Sequence, residues 1–262
     1  MKLLFIGDII GKLGRKTIRQ ILPGLKKEFA IDLTVANGEN LAHGSGITLK
    51  TYDEATMAGI EVLTSGNHIW EKREFLKEID RCCPYLVRPA NYPAGVPGKD
   101  HVIIEKGGVK IGFFCLVGRV FMKALDCPFK TAELMVAKMR KETNLILVDI
   151  HAEASSEKMA MAVFLGGKVS AVLGTHTHVQ TADERIYPGG TAYLTDVGMV
   201  GAYDSIIGVQ KDPILERYLT QLPTQYDPEE KGPALFNAVV LTIDNKSGKT
   251  EKIERIYRVI EP

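Results

Sequence analysis

"VSAVLGTHTH" (169–178) runs an apolar, β-rich segment directly into two histidines one residue apart. Five further segments read as strands in the same way: "KLLFIGD" (2–8), "DLTVANGEN" (32–40), "EVLTSGNH" (61–68), "NLILVDIH" (144–151) and "TAYLTDVG" (191–198). Between them, "GRKTIRQILPGLKKEF" (14–29), "LKTYDEATMAGI" (49–60), "IWEKREFLKEID" (69–80), "TAELMVAKMRKE" (131–142) and "SSEKMAMAVFL" (155–165) read as amphipathic helices. This alternation predicts an α/β fold with a largely parallel sheet and helical crossovers. Two other segments carry hairpin signals, "HVIIEKGGVKIGFFCLVG" with its turn at Gly107-Gly108 and "ALFNAVVLTIDNKSGKTEKIERIYRVI" with its turn at Asn245 to Gly248. They predict a second, mixed or antiparallel sheet packed on the first.

Composition sets the frame for that reading. The chain has 262 residues, of which 45% are hydrophobic and 25% charged, enough to bury one large core, so a single domain over residues 1–262 is expected. A formal net charge of +1, with no long run of one sign, gives no electrostatic case for duplex DNA or an anionic membrane as the main partner. The first apolar run stops at Gly7-Asp8, too short for a signal-peptide core, and no later run approaches a membrane span. A cytoplasmic location is expected. The four cysteines, Cys82, Cys83, Cys115 and Cys127, lack CxxC spacing and read as reduced, structural thiols.

In an open parallel sheet, ligands bind at the carboxyl ends of the strands. Five strands end there in residues that can hold a metal: Asp8, Glu39-Asn40, Asn67-His68, His151, and His176 with His178. Residues two apart in an extended segment point to one side, so His176 and His178 are expected to face one ion or two neighbouring ones. Imidazoles, carboxylates and amide oxygens without a thiolate suit Mn²⁺, Fe²⁺ or Zn²⁺ and do not match a cysteine-rich structural zinc site. Each residue alone has an ordinary alternative. A strand-end Asp or Asn often caps a turn or helix, as Asn67 would if a helix begins near Ile69, and a lone histidine is often simply hydrogen-bonded. Capping does not explain a placement shared by five strands.

Other motifs carry less. "GDIIGKL" (7–13) falls one residue short of a P-loop and has Leu13 where that loop needs a hydroxyl. "HGSG" (43–46) lacks the spacing of a nucleophile elbow, so Ser45 reads as part of a flexible turn. Tyr92 and Tyr203 could stack on a base, but loop packing is the simpler reading of both.

The segments "GD" (7–8), "GNH" (66–68), a lone His151 and "GTHTH" (174–178) resemble, in the same chain order, the motif series of the calcineurin-like metallophosphoesterases. The longer strings "NGENLAHGSGIT", "LVRPANYP", "DIHAEASSEK", "GTHTHVQTAD" and "TDVGMVGAYDSIIG" resemble the YmdB-like bacterial phosphodiesterases, and the likeness covers nearly the whole chain. The resemblance implies a four-layer α/β/β/α sandwich of two packed mixed sheets, two divalent metal ions per chain, and hydrolysis of phosphodiesters, cyclic nucleotides above all. It also implies the ligand sets: Asp8, Glu39, Asn40 and His178 for one ion, and Glu39, Asn67, His151 and His176 for the other, with Glu39 bridging. Ile10 stands where the wider superfamily has a histidine, and Glu39 where it has an aspartate; the narrower family shares both departures. The oxygen-richer first site favours Mn or Fe, with Zn still allowed. His68, adjacent to Asn67 and not needed as a ligand, is the natural general acid for a ribose oxygen, and a helix starting near Ile69 would turn its N-terminal N–H groups to the substrate. The implied partner is a small nucleotide. RNA and a second copy of the chain remain open as partners, as do a phosphomonoesterase or nuclease activity and a non-catalytic regulatory role.

Overall fold

A strand with two apolar faces must be covered on both. In β1 (Lys2–Ile6), Leu3 and Phe5 enter one core while Leu4 and Ile6 enter another, and all four are fully buried. The computed structural model describes residues 1–261; Pro262, the last residue of the expected domain, lies outside the described residues. After β1 the chain continues through β2 (Asp8–Ile9), α1 (Gly11–Glu28), β3 (Leu33–Asn37), α2 (Leu49–Met57) and β4 (Val62–Thr64). A 3₁₀ turn (Arg73–Lys77) leads into the one-turn α3 (Ile79–Cys82). Then come β5 (Val102–Lys106), β6 (Val109–Val117), α4 (Pro128–Met139), β7 (Leu145–His151), α5 (Ser155–Leu165) and β8 (Ala171–Thr175). The last third holds β9 (Arg185–Tyr187), β10 (Thr191–Leu194), β11 (Met199–Ala202), α6 (Lys211–Thr220), β12 (Ala234–Ile243) and β13 (Thr250–Ile260).

The first sheet has the order β2-β11-β12-β1-β3-β4, with β13 also paired to β12. The second runs β5-β6-β7-β8-β10-β9. Each sheet is mixed. β1, β3 and β4 are parallel in the first sheet, as are β6, β7, β8 and β10 in the second, and each sheet also contains antiparallel pairs. Leu3, Phe5, Leu33, Val35, Phe113, Leu147, Leu173 and Val239 fill the space between the sheets. Helices α1 and α2 cover the outer face of the first sheet through Ile18, Leu22, Leu25 and Ala55, and α4 and α5 cover the second through Ala132, Met139, Met161 and Leu165. This is the four-layer α/β/β/α sandwich expected from the resemblance.

The two hairpins form as expected, with Gly107 and Gly108 at φ +57° and +76° making the tight turn of the first. They do not build a sheet of their own. One extends the edge of the second sheet and the other supplies two strands of the first. The helix expected over residues 69–80 is replaced by the 3₁₀ turn and α3. Ile69, Phe75 and Ile79 are all buried, and the chain between them closes by i→i−3 bonds, with Phe75 N–H donating to Lys72 O and Glu78 N–H to Phe75 O.

The inter-sheet core carries most of the packing. Phe113→Ala, in the middle of that layer, is expected to lower unfolding free energy by about 3–5 kcal/mol, whereas Met57→Ala, at a side chain 86% exposed, is expected to stay within about 0.5 kcal/mol. Urea denaturation of metal-free protein checks both.

Candidate metal centre

The inter-sheet faces of four strands change character towards their carboxyl ends. Leu33 and Val35 give way to Asn37 on β3, and Val62 to Thr64 on β4. Leu145 and Leu147 give way to Asp149 and His151 on β7, and Ala171 and Leu173 to Thr175 on β8. Alternation keeps each series on one face. The fully buried Asp149 carboxylate accepts from Asn37 Nδ2 at 2.9 Å, Thr64 Oγ1 at 2.5 Å and Thr175 Oγ1 at 2.7 Å, joining both sheets. Thr175 Oγ1 lies 2.9 Å from His151 Nδ1; because the hydroxyl proton goes to Asp149, the ring N–H donates to Thr175 and Nε2 faces away from it. Asn37 Oδ1 accepts from the Glu39 backbone N–H.

Directly beyond this hub the structure brings Glu39, His151 and His176 together, with Asp8 beside them. Glu39 Oε1 lies 3.0 Å from His151 Nε2, and His176 Nδ1 lies 3.0 Å from the same nitrogen. One donor atom from each of these three residues falls within 4.8 Å of the others. Asp8 Oδ2 accepts the His176 N–H, and Oδ1 is 3.9 Å from His151 Nδ1. Asp8 Oδ1, Asn40 Oδ1 and Asn67 Oδ1 are buried without any hydrogen-bond partner, a costly state for polar oxygens unless something else coordinates them. Asn40 is aimed by its own Nδ2, which donates to Gly44 O at 2.8 Å. His178 Nδ1 donates to Ile207 O at 2.8 Å, which leaves an Nε2 lone pair free. Three orphaned oxygens among imidazoles and two carboxylates fit divalent cations chemically.

Gly66 makes the approach of β4's end to this cluster feasible. A Cβ there would sit 2.2 Å from Glu39 Oε2 and 2.4 Å from His151 Nε2. Charge tells the same story. Burial pushes the Asp8 carboxyl up, against the pull of His178 and His151. Burial also opposes ionisation of Glu39, but the adjacent His151 wins and holds it below the usual carboxylate range. Burial disfavours the His151 cation, yet Glu39 raises that ring above its ordinary value. Burial and the His151 charge push His176 down to about 3.

The extended geometry expected for residues 176–178 is corrected by the structure. Strand β8 ends at Thr175, and His176 and His178 have φ of +97° and +66°, left-handed values that cost about 1–3 kcal/mol each in non-glycine residues. A buried ion pair holds this loop. Lys158 Nζ on α5 donates to Asp196 Oδ2 at 2.7 Å, and the same oxygen accepts from Thr177 N at 3.0 Å and Thr177 Oγ1 at 2.7 Å. Both charged residues are fully buried.

With the geometry in place, the comparisons decide the family. The sequence matches the YmdB-like protein family over residues 4–256. The chain belongs to that family. It is 46% identical over 256 residues to a 2′,3′-cyclic-nucleotide 2′-phosphodiesterase of Bacillus subtilis, covering 98% of this chain and 96% of the relative. Among solved structures, a hypothetical protein from Thermus thermophilus is 40% identical with a TM-score of 0.92, covering all of both chains. A novel phosphatase from Mycoplasma pneumoniae is 34% identical with a TM-score of 0.93, covering 100% of this chain and 94% of its own.

In this YmdB-like chain His68 stands beside the cluster, its backbone N–H donating to Glu39 Oε2 at 3.2 Å. Its ring Nδ1 is held by the Glu71 carboxylate and lies 3.1 Å from Ser45 Oγ, so Nε2 is left free. Ser45, expected to be only part of a flexible turn, also donates to Glu71. Burial works against the Glu71 charge, but donation from Ser45 and His68 carries its carboxyl below the ordinary range. With no helix starting at Ile69, the expected row of helical N–H groups facing a substrate is absent among the described residues. Tyr92 packs edge-on against Trp70 at 4.6 Å, which is the loop packing read from the sequence. Glu153, Lys158 and Asp196 were not legible as site residues, although Glu153 Oε2 lies 3.2 Å from His176 Nε2.

Two outcomes are expected here. Gly66→Ala should leave the circular dichroism of the fold intact while lowering bound metal, measured by elemental analysis, below half the wild-type content. Lys158→Met should cost about 3–5 kcal/mol because Asp196 is left buried without its cation. Adding Asp196→Asn should cost less than the sum of the two single losses, and strict additivity in urea melts would show the pair to be uncoupled.

Proposed function

We propose that this chain is a metal-dependent phosphodiesterase that hydrolyses cyclic nucleotides, 2′,3′-cyclic in the first place and 3′,5′-cyclic in the second. The observation that supports the reading is the cluster of Glu39, His151 and His176, together with three buried oxygens left without partners on Asp8, Asn40 and Asn67. The 46% identical relative named for this activity supports the substrate class. Asp8, Glu39, Asn40 and His178 would hold one ion, and Glu39, Asn67, His151 and His176 the other. Mn or Fe suits the oxygen-rich first set better than Zn. When bound, two such cations activate a water and neutralise charge on the phosphoryl oxygens.

The chain's own residues account for the other half of the reaction. As the water oxygen is added to phosphorus, the P–O2′ bond breaks, and the alkoxide that would leave is a strong base. The His68 ring, doubly protonated with Nδ1–H on Glu71, gives its Nε2 proton to O2′ and is left neutral. Glu71 and Ser45, both on Nδ1, fix the ring so that Nε2 is the nitrogen presented. Asp149, through Thr175, does the same for His151, while Asp196 holds the backbone between His176 and His178 through Thr177. All four cysteines are free thiols, in keeping with the cytoplasm as the proposed compartment.

Metal analysis together with a substrate panel tests the reading. About two ions per chain are expected, with a 2′,3′-cyclic nucleotide cleaved in preference to its monoester product and to single-stranded RNA; a reproducible limit of one ion, or preference for the monoester, overturns it. His68→Ala is expected to keep its metal and lose about 10²–10⁴-fold in rate on the cyclic nucleotide. On an ester whose leaving group is p-nitrophenolate, which departs without a proton, the loss should be much smaller. Equal losses would remove the acid role.

A further inference from the structure

We propose that the loop between β6 and α4 is the base-recognition subsite of this centre, with Phe121 stacking on the nucleobase and Lys123 pairing with the phosphate. The proposal rests on the reading of the site as a nucleotide hydrolase and adds where the nucleoside sits. Phe121 is 89% exposed, the highest value among the exposed large hydrophobic side chains of the described residues, and its φ is +60°. A bulky residue in that conformation is uncommon and is retained where the surroundings enforce it. They do so here. Asn91 Nδ2 donates to Val117 O at 2.8 Å and to Asp126 O at 3.1 Å, clamping both stems of the loop. The Glu157 carboxylate, on α5 and almost fully buried, accepts from Arg119 N at 3.0 Å and from Val120 N at 3.3 Å. The chain thus spends a buried carboxylate and a buried amide on presenting a phenyl ring to water.

The ring is presented next to the chemistry. A cavity of about 380 Å³ is lined by Asn67, Phe121, Met122, Lys123 and His176, so the loop tip and two proposed metal ligands share one space. That volume is within the range of small-molecule sites. On the loop side it offers an aromatic face, a thioether and one cation, and none of these three side chains pairs a donor with an acceptor as a base edge requires. A π-face with no edge readout binds any base and favours those with the larger ring system. The structure therefore assigns a substrate class of nucleotides of any base, purines ahead of pyrimidines.

The test uses metal-loaded full-length protein, the four 2′,3′-cyclic nucleotides, and the base-free 1-O-methylribose 2′,3′-cyclic phosphate. Wild type should prefer the nucleotides over the base-free ester by KM, and Phe121→Ala should raise KM for nucleotides roughly 5- to 150-fold, collapsing that preference. Phe121→Trp should restore it. Lys123→Met should raise KM for both classes together, as a phosphate contact does. A nucleotide preference that survives Phe121→Ala, or a Phe121→Ala loss of equal size on the base-free ester, overturns the stacking role. If wild type cleaves no cyclic nucleotide, the proposed activity fails on its own. Binding of a nucleoside 3′-phosphate against ribose 3-phosphate then reads the same Phe121 dependence, whose presence upholds the subsite and whose absence overturns it.

Discussion

The centre depends on one buried carboxylate. Asp149 sits between the two sheets with Asn37, Thr64 and Thr175 hydrogen-bonded to it, one partner from each of three other strands. An ionised group at that depth is expensive, and burial alone pushes its carboxyl up. Three donors offset the cost, and in doing so they fix the relative height of β3, β4, β7 and β8. Every candidate ligand lies a residue or a few beyond one of these partners or on the facing edge, so an error in the hub would be passed to the whole set.

A second buried charge does the same for the part of the centre that regular structure cannot supply. His176 and His178 leave the strand in left-handed conformations, which no β-ladder would stabilise. Lys158 and Asp196 hold Thr177, the residue between them, by both its N–H and its hydroxyl. Strain at His176 and His178 is thus balanced by the buried ion pair that holds Thr177. Strands carry Asp8 and His151 to the edge, short turns after β3 and β4 carry Glu39 and Asn67, and the Lys158–Asp196 network holds the segment that bears His176 and His178.

Much of this was legible in the sequence because sheet geometry is local. A strand needs only alternating apolar residues to be recognised, and its polar end needs only to be adjacent, so Asp8, Glu39, Asn40, Asn67, His151, His176 and His178 stood out as a class of strand ends. The supporting residues did not. Lys158 falls in an amphipathic helix, where a lysine reads as solvated, and its partner lies 38 residues away. Asn37, Thr64 and Thr175 are ordinary strand or turn residues until Asp149 is placed among them. Ser45 and Glu71 acquire meaning only from the ring of His68, and residues 69–80 read as one helix because their charges mimic an amphipathic pattern, which does not show where the chain tightens into a 3₁₀ turn.

The position of β12 has a consequence for how the chain is made. β1 is flanked by β3 on one side and by β12 on the other, with Leu4 opposite Val240. During synthesis β1 therefore waits, with one edge open, until residues beyond Ala234 have left the ribosome. Loop closure over that span is slow, and an unpaired apolar edge invites pairing with another chain. The open edge of β1 is exposed to such pairing until β12 has been released and has docked.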